Sequence, residues 1–360
     1  MARRFGTFLA VCIACAVLQP ATRAQERVTI AADVLLYGDN TEFRNPFREG
    51  ETLFGAAPRL SVLVGFGDAA SLELGAFANT RFGSERASEQ TRPVIALTIA
   101  RGASRFIFGT LQTPRVMDPS GADRTGPHGL LPPLQAETLA FDRPYEAGLQ
   151  WTVTHARFHQ DAWLSWQQLN TPDHRERFDG GVNIQYAVAP GLILPVQFHI
   201  VHHGGQQFAA GPVADSFAAA GGLEVHRGVG GVRVRAAVLG LSSRHVPDRE
   251  RPDRSRTGRA VFARASLERG GWGAHTLFWR GKDFVKEEGD ANYLSIRRNG
   301  THYGGIRDYA EAGVTRRFHP VPQVRVEVSG RLHRVERHYG YSYRILAVTS
   351  ARFTVVGRQP

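Results

Sequence analysis

Three histidines, His199, His202 and His203, fall within five residues of one another. Imidazoles at that density could ligate a metal or supply a general base. On an extended strand, side chains alternate between faces, so His199 and His203 share one face and His202 takes the other. With a rise of about 3.3 Å per residue, the first two stand about 13 Å apart, too far to share an ion. No metal site is therefore assigned and no cofactor is called for. His202 remains as a lone base. The chain has no G-x-S-x-G elbow, no H-E-x-x-H pair and no phosphate-binding glycine loop, so no catalytic residue is assigned.

The second recurring chemistry is charge set against apolar side chains at period two. From Val324 to Leu332, the valines and Leu332 share one parity, while Arg325, Glu327, Ser329 and Arg331 share the other. Tyr343–Val355 repeats the pattern, with Ile345, Ala347, Ala351, Phe353 and Val355 opposed to Arg344, Ser350, Arg352 and Thr354. Such segments are strands with one apolar and one charged wall.

Residues 1–24 read as a signal peptide for Sec export. Arg3 and Arg4 precede an apolar run from Phe5 to Leu18, and small residues follow before Gln25. A run of about 14 apolar residues is short for a membrane span. Cys12 and Cys15 both lie inside this segment, so the mature chain has no disulfide. Its loss, with Arg3, Arg4 and Arg23, lowers the net charge from +11 to +8. Lys282 and Lys286 are the two lysines; the other basic residues are arginines. Charges spread along every strand of an exported chain point to an anionic surface or anionic solutes and away from nucleic acid.

From Gln25 onward, sixteen strand-like segments follow one another, from 27–37 to 342–356, with no helical period between them. Connections after even-numbered strands are tight, such as Gly102-Ala103 and Ala189-Pro190. Those after odd-numbered strands are mostly longer, polar and rich in Gly, Pro and Arg. Strict alternation of this kind predicts an all-β fold. It is a transmembrane antiparallel up-and-down β-barrel of about 16 strands, between 14 and 18, occupying 25–360 as one domain. The signal peptide, the alternating strands and the loop asymmetry resemble a Gram-negative outer-membrane β-barrel of porin type, over residues 25–356. The resemblance is architectural, and the chain departs from it by ending Gly357-Arg-Gln-Pro360, with Phe353 as its last aromatic. It implies residence in the outer membrane, contact with its lipid and lipopolysaccharide, handling by the barrel assembly machinery, and homotrimers.

With the apolar parity toward lipid, the interior is expected to be lined by Glu73, Arg81, Glu146, Gln150, Asp161, His199, His203, Arg233, Arg235, Arg264, Arg307, Glu311, Arg317, Arg325, Glu327, Arg331, Arg344 and Arg352. Strands 4, 5 and 13 alternate poorly. Tyr37, Phe66, Phe82, Tyr145, Trp166, Tyr186, Trp272, Phe284, Phe318 and Tyr343 are placed in interfacial girdles. The connection 113–144, with six prolines and apolar Leu130, Leu131, Leu134, Leu139 and Phe141, is expected to fold into the mouth. Loop 245–257 is charged and read as solvated. The first functional expectation is a passive channel for small hydrophilic solutes, with a mild anion preference from lumenal Arg. A surface or export barrel for an acidic polysaccharide is the second. The third is a lipid hydrolase, for which His202, on the lipid-facing parity near the long-loop end, would be the base.

Overall fold

The computed structural model describes residues 26–112, 127–205, 207–208 and 211–357; the expected signal segment lies outside them. Sixteen antiparallel strands form a closed barrel in which every strand pairs with its sequence neighbours. The first eight are β1 (Glu26–Arg44), β2 (Glu49–Phe66), β3 (Ala70–Arg81), β4 (Gln90–Arg101), β5 (Ser104–Thr110), β6 (Ala147–Thr154), β7 (Phe158–Gln168) and β8 (Glu176–Ala189). The second eight are β9 (Leu192–Gly204), β10 (Ala214–Val229), β11 (Val232–Val246), β12 (Arg256–Arg269), β13 (Trp272–Lys282), β14 (Ile306–Val321), β15 (Val324–Val335) and β16 (His338–Gly357). Closure is made by β1 on β16, with Leu36 opposite Ala347. The barrel fold and strand number are those the alternation predicts.

Alternation decides which wall each side chain takes. Leu60, Phe108, Val238, Leu332 and Phe353 are exposed on the outside, while Glu73, Asp161, Glu311 and Ser329 are buried inside. An outer wall so apolar suits hydrocarbon, where a backbone without water must pair completely, and closure supplies that pairing. At one end the turns are short. Gly230-Gly231 and Gly270-Gly271 each place two consecutive residues at positive φ, between 54° and 81°, the backbone of a two-residue hairpin turn that glycine adopts without strain. At the other end the connections are mostly longer, although β1 and β2 are joined there by residues 45–48 and β15 and β16 by Glu336-Arg337 alone.

Two of those long connections turn inward. Residues 127–146, which include the one-turn helix α1 (Leu139–Asp142), and residues 283–305 fill the outer half of the lumen. Leu130, Leu131, Leu134, Phe284 and Tyr293 pack with inward-facing Trp163, Leu239, Phe262, Trp279 and Tyr309. Ala140 and Phe141 pack against Leu35, Tyr37, Leu53, Phe77 and Val94. The two connections also bond to each other, Ala136 N–H donating to Glu288 O (2.7 Å) and Asp290 N–H to Pro132 O (2.9 Å).

This plug explains where alternation was illegible. In β4, Ile95 and Leu97 face out while Val94 and Ala96 face in and are covered; in β13, Phe278 faces out and Trp279 in. A strand buried on both faces reads as a continuous apolar run. For the same reason three residues assigned to girdles belong elsewhere. Tyr37 is buried inside, donating to Asn79 Oδ1 (2.7 Å) and stacked on Phe141, Phe284 is buried in the plug, and Tyr145 packs on Phe77.

Leu134→Ala should cost about 2–5 kcal/mol, the range for emptying a fully buried leucine site. Urea unfolding of the refolded barrel, followed by near-ultraviolet circular dichroism, measures it; a loss below about 1 kcal/mol would mean that the plug is loosely packed.

Candidate functional sites inside the barrel and on its outer wall

The strands present polar side chains to the plug at the points where its backbone needs partners. Gln197 Oε1 accepts from Leu131 N–H (2.9 Å) and Asn183 Nδ2 donates to His128 O (2.8 Å). His128 stacks on Trp163 with centroids 3.8 Å apart, and its two ring nitrogens lie 2.7 Å from Asp161 and from Glu146. Two plug carboxylates are clamped by arginines. Glu137 meets Arg331 (2.9 Å) and Arg344 (3.0 Å), and Glu288 meets Arg143 (2.6 Å) and Arg177 (2.9 Å).

The residues expected to line the lumen all face inward, but the plug changes their surroundings. Arg307 is fully buried, donating to Leu294 O and Asn292 O and lying 3.2 Å over the Phe47 ring. Arg81 pairs with Asp142, His203 with Glu287, and Glu311 lies beside His275 and Arg331. Gln150 bonds Asp161 (2.9 Å), and His199 lies between Asp179 (3.2 Å) and Leu134 O (3.1 Å). Toward the short turns, Glu73 pairs with Arg59, Arg233 and Arg317 with Glu268, Arg317 with Glu327, Arg264 with Glu224, and Arg352 with Asp33. Arg325 also faces inward there. Arg235 lines a cavity of about 60 Å³ against Arg264 and Glu311. A larger cavity of about 430 Å³ lies among Arg59, Arg105, Arg352, Glu73 and Gln150.

Asp179, His199 and Glu288 bring three ligand-type atoms within 4.8 Å of one another. Arg143, Arg177 and Lys286 surround the same carboxylates. Those cations already supply the counter-charge that a metal ion would bring, and they are the structural alternative to one. Sequence alone does not reveal His128, Glu137 and Glu288, since only the fold brings these loop residues to their strand partners, Asp161 for His128, Arg331 and Arg344 for Glu137, and Arg177 for Glu288.

On the outer wall near the long-loop end, His202 is no longer a lone base. Its Nδ1 lies 2.8 Å from Asp215 Oδ1, its register partner on β10. Asp215 in turn accepts from Arg249 Nε (2.5 Å) and Nη2 (2.9 Å), which ties loop 247–255 to the wall. His202 stacks on Phe178, and Phe178 on Trp166, so one outward row runs Trp166–Phe178–His202–Asp215 across four strands. Any Cβ at Gly204 would collide with His202 Nε2, so glycine there leaves the second nitrogen room. The His202 side chain keeps 13% of its surface exposed. Elsewhere on the outer wall, Asn40 accepts from Thr52 Oγ1 (2.5 Å) and donates to Glu42 (3.1 Å), opposite Tyr343. The histidine row pairs a base with a group that orients it; the asparagine cluster has a carboxylate and no histidine.

A model of lipid A 3′-O-deacylase-type proteins matches residues 19–356. The chain belongs to that family. No curated protein matches it. Among solved structures, the in-vitro folded outer-membrane protein OmpT of Vibrio cholerae superposes with a TM-score of 0.54 at 8% identity, covering 93% of this chain and 99% of the other. The loop L8 deletion mutant of OmpT gives 0.55 at 9% identity, over 90% and 99%. OprD of Pseudomonas aeruginosa gives 0.46 at 11%, over 91% and 94%. At such identities the likeness is one of fold, that of outer-membrane β-barrels.

In this deacylase-type barrel the plug's carboxylates set an acid limit. Burial works to raise Glu137, but Arg331 and Arg344 outweigh it and hold the group down at about 2; burial likewise opposes Arg143 at Glu288, also held at about 2. A carboxylate depressed in the folded state contributes stability above its unfolded value near 4.5 and loses it as pH falls toward 2. Amide hydrogen exchange in 127–144 should therefore accelerate as pH drops through that window, after correction for intrinsic rates, and Glu137→Gln should show the faster exchange already at pH 7. Unchanged protection at pH 3 would contradict the clamp.

Proposed function

We propose that this barrel is an esterase of outer-leaflet lipid that removes an ester-linked acyl chain from a lipid A-type saccharolipid. The observation that carries the reading is the His202–Asp215 pair on the outer wall, in an aromatic row at the level of the girdle. Acyl esters of a bilayer lipid lie at this boundary between headgroup and hydrocarbon, where amphipathic rings also settle. Membership of the deacylase-type family supports the substrate class.

Asp215 accepts from His202 Nδ1–H, so Nε2 carries the lone pair and can act as base. Water attacks the ester carbonyl carbon as Nε2 takes its proton. Collapse of the tetrahedral intermediate breaks the bond to the alcohol oxygen, and Nε2 returns the proton to it. The products are a fatty acid and a lipid hydroxyl. Arg249 holds Asp215 in place beside the imidazolium as it forms.

The refolded chain should release fatty acid from bis-phosphorylated lipid A, read by mass spectrometry. His202→Ala should lower release by about 10²-fold or more, the scale of a general base. Gly204→Ala, which removes no functional group, should lower it too by pushing the ring aside. Release unaffected by His202→Ala but lost in Asn40→Ala would move the chemistry to the Asn40 cluster and overturn this assignment.

The cavity at the short-turn end favours a channel as the second reading. Its continuation toward the long-loop end is filled by the plug, so the unmodified chain in a planar bilayer should carry no steady open current. A steady current with anion preference would restore the passive channel.

A further inference from the structure

Four cations on the outer wall face no adequate counter-charge. Arg259 on β12 lies directly opposite Lys282 on β13. Arg244, whose register partner is Thr257, is its diagonal neighbour on one side, and Arg280, opposite Val261, is its diagonal neighbour on the other. All four are exposed and share the outward parity with Val238, Val261 and Phe278. Among the described residues, Arg280 meets Asp308 at 3.6 Å, while Arg244, Arg259 and Lys282 make no side-chain hydrogen bond or ion pair.

Like charges directly opposite across a strand pair destabilise it. Inside this barrel almost every arginine is paired, so a cluster of four cations with one long ion pair, Arg280–Asp308, is not a general habit of the chain. It is also one-sided. Near the long-loop ends of β1, β2 and β16 the wall carries Asn40, Glu42, Thr52 and Tyr343, with Arg44 at the tip of β1. Below the cluster the wall is apolar, which fixes what can approach: an anion attached to hydrocarbon, standing at the membrane surface.

We infer that Arg244, Arg259, Arg280 and Lys282 form a docking site for the phosphorylated headgroup of an outer-leaflet lipid. Arginine forks and a lysine point charge bind phosphate oxygens by charge-assisted hydrogen bonds, and the acyl chains then lie along the apolar strands beneath. Arg244 is paired in register with Phe217, two residues from Asp215 on the same face of β10, so a lipid held here lies beside the His202–Asp215 pair. In naming the group that positions the substrate, this site deepens the esterase reading and rests on it for the choice of lipid.

Native mass spectrometry of the refolded full chain in detergent micelles, in a His202→Ala background to prevent turnover, measures the binding. The probes are bis-phosphorylated lipid A, the same lipid with both phosphates removed, and inorganic phosphate as competitor. The triple variant Arg244→Gln/Arg259→Gln/Lys282→Gln should bind the phosphorylated lipid at least about tenfold more weakly. The unmodified cluster should bind the dephosphorylated lipid as weakly as that variant does. Arg244→Lys/Arg259→Lys should retain most of the affinity, which separates loss of charge from loss of fold, and circular dichroism should be unchanged throughout. Equal binding by cluster and triple variant, or no discrimination between the two lipids, would overturn the site. Competition by inorganic phosphate at concentrations equal to the lipid would assign the cluster to a soluble anion and overturn the lipid assignment. Phosphate-dependent binding without fatty acid release from the chain bearing His202 would sink the esterase reading and leave the docking site standing.

Discussion

Everything in this molecule follows from the requirement that a backbone in hydrocarbon satisfy its own hydrogen bonds. Sixteen strands in sequential order meet it only if the last returns to the first, and the β1–β16 ladder, from Arg27 opposite Gly357 to Glu42 opposite Tyr341, is what closes the set. Closure fixes an inside and an outside, and the two-residue period of a strand then gives each side chain its wall. The outward rows become an apolar band. The inward rows can hold the charged residues that the band excludes.

A sixteen-strand barrel is wide enough to leave a water-filled passage, and this chain closes much of that space with its own connections. The plug has a double anchorage. Its leucines and aromatics cover apolar side chains on the inner wall, and its two carboxylates, Glu137 and Glu288, are each held between two arginines. Inside the low-dielectric lumen, a carboxylate and its arginines must come together, because either left alone would be a buried unpaired charge. Of the arginines that read as an ion pathway, Arg81, Arg307, Arg331 and Arg344 fasten the plug, while Arg233, Arg264, Arg317 and Arg352 pair with carboxylates of the wall itself.

The outer wall has its own polar networks, separate from those of the lumen. His202, Asp215 and Arg249 form a chain of hydrogen bonds at its outer end. The neighbouring strands β11 to β13 add a patch of cations with an apolar surface below. Both features face the membrane side of the wall and not the lumen.

The sequence by itself determined the fold class, the number of strands and the wall on which each residue of strongly alternating strands would stand, because a period of two is local and needs no partner. It also put His202 on the lipid side near the long-loop end by the same parity. It did not reveal Asp215, thirteen positions away, or Arg249, since what unites them with His202 is the register of β9 on β10 and the return of a loop. The faces of β4 were hidden for a related reason: the plug covers its inner side, so both parities are apolar; in β13 the plug covers inward Leu277 and Trp279, while Arg280 and Lys282 stand on the outward parity. Only the tertiary structure decided that lumenal Arg331 and Arg344 serve a plug carboxylate, because pairing Arg344 with Glu137, 207 residues apart, requires the barrel to close around a loop that folds back through its own mouth.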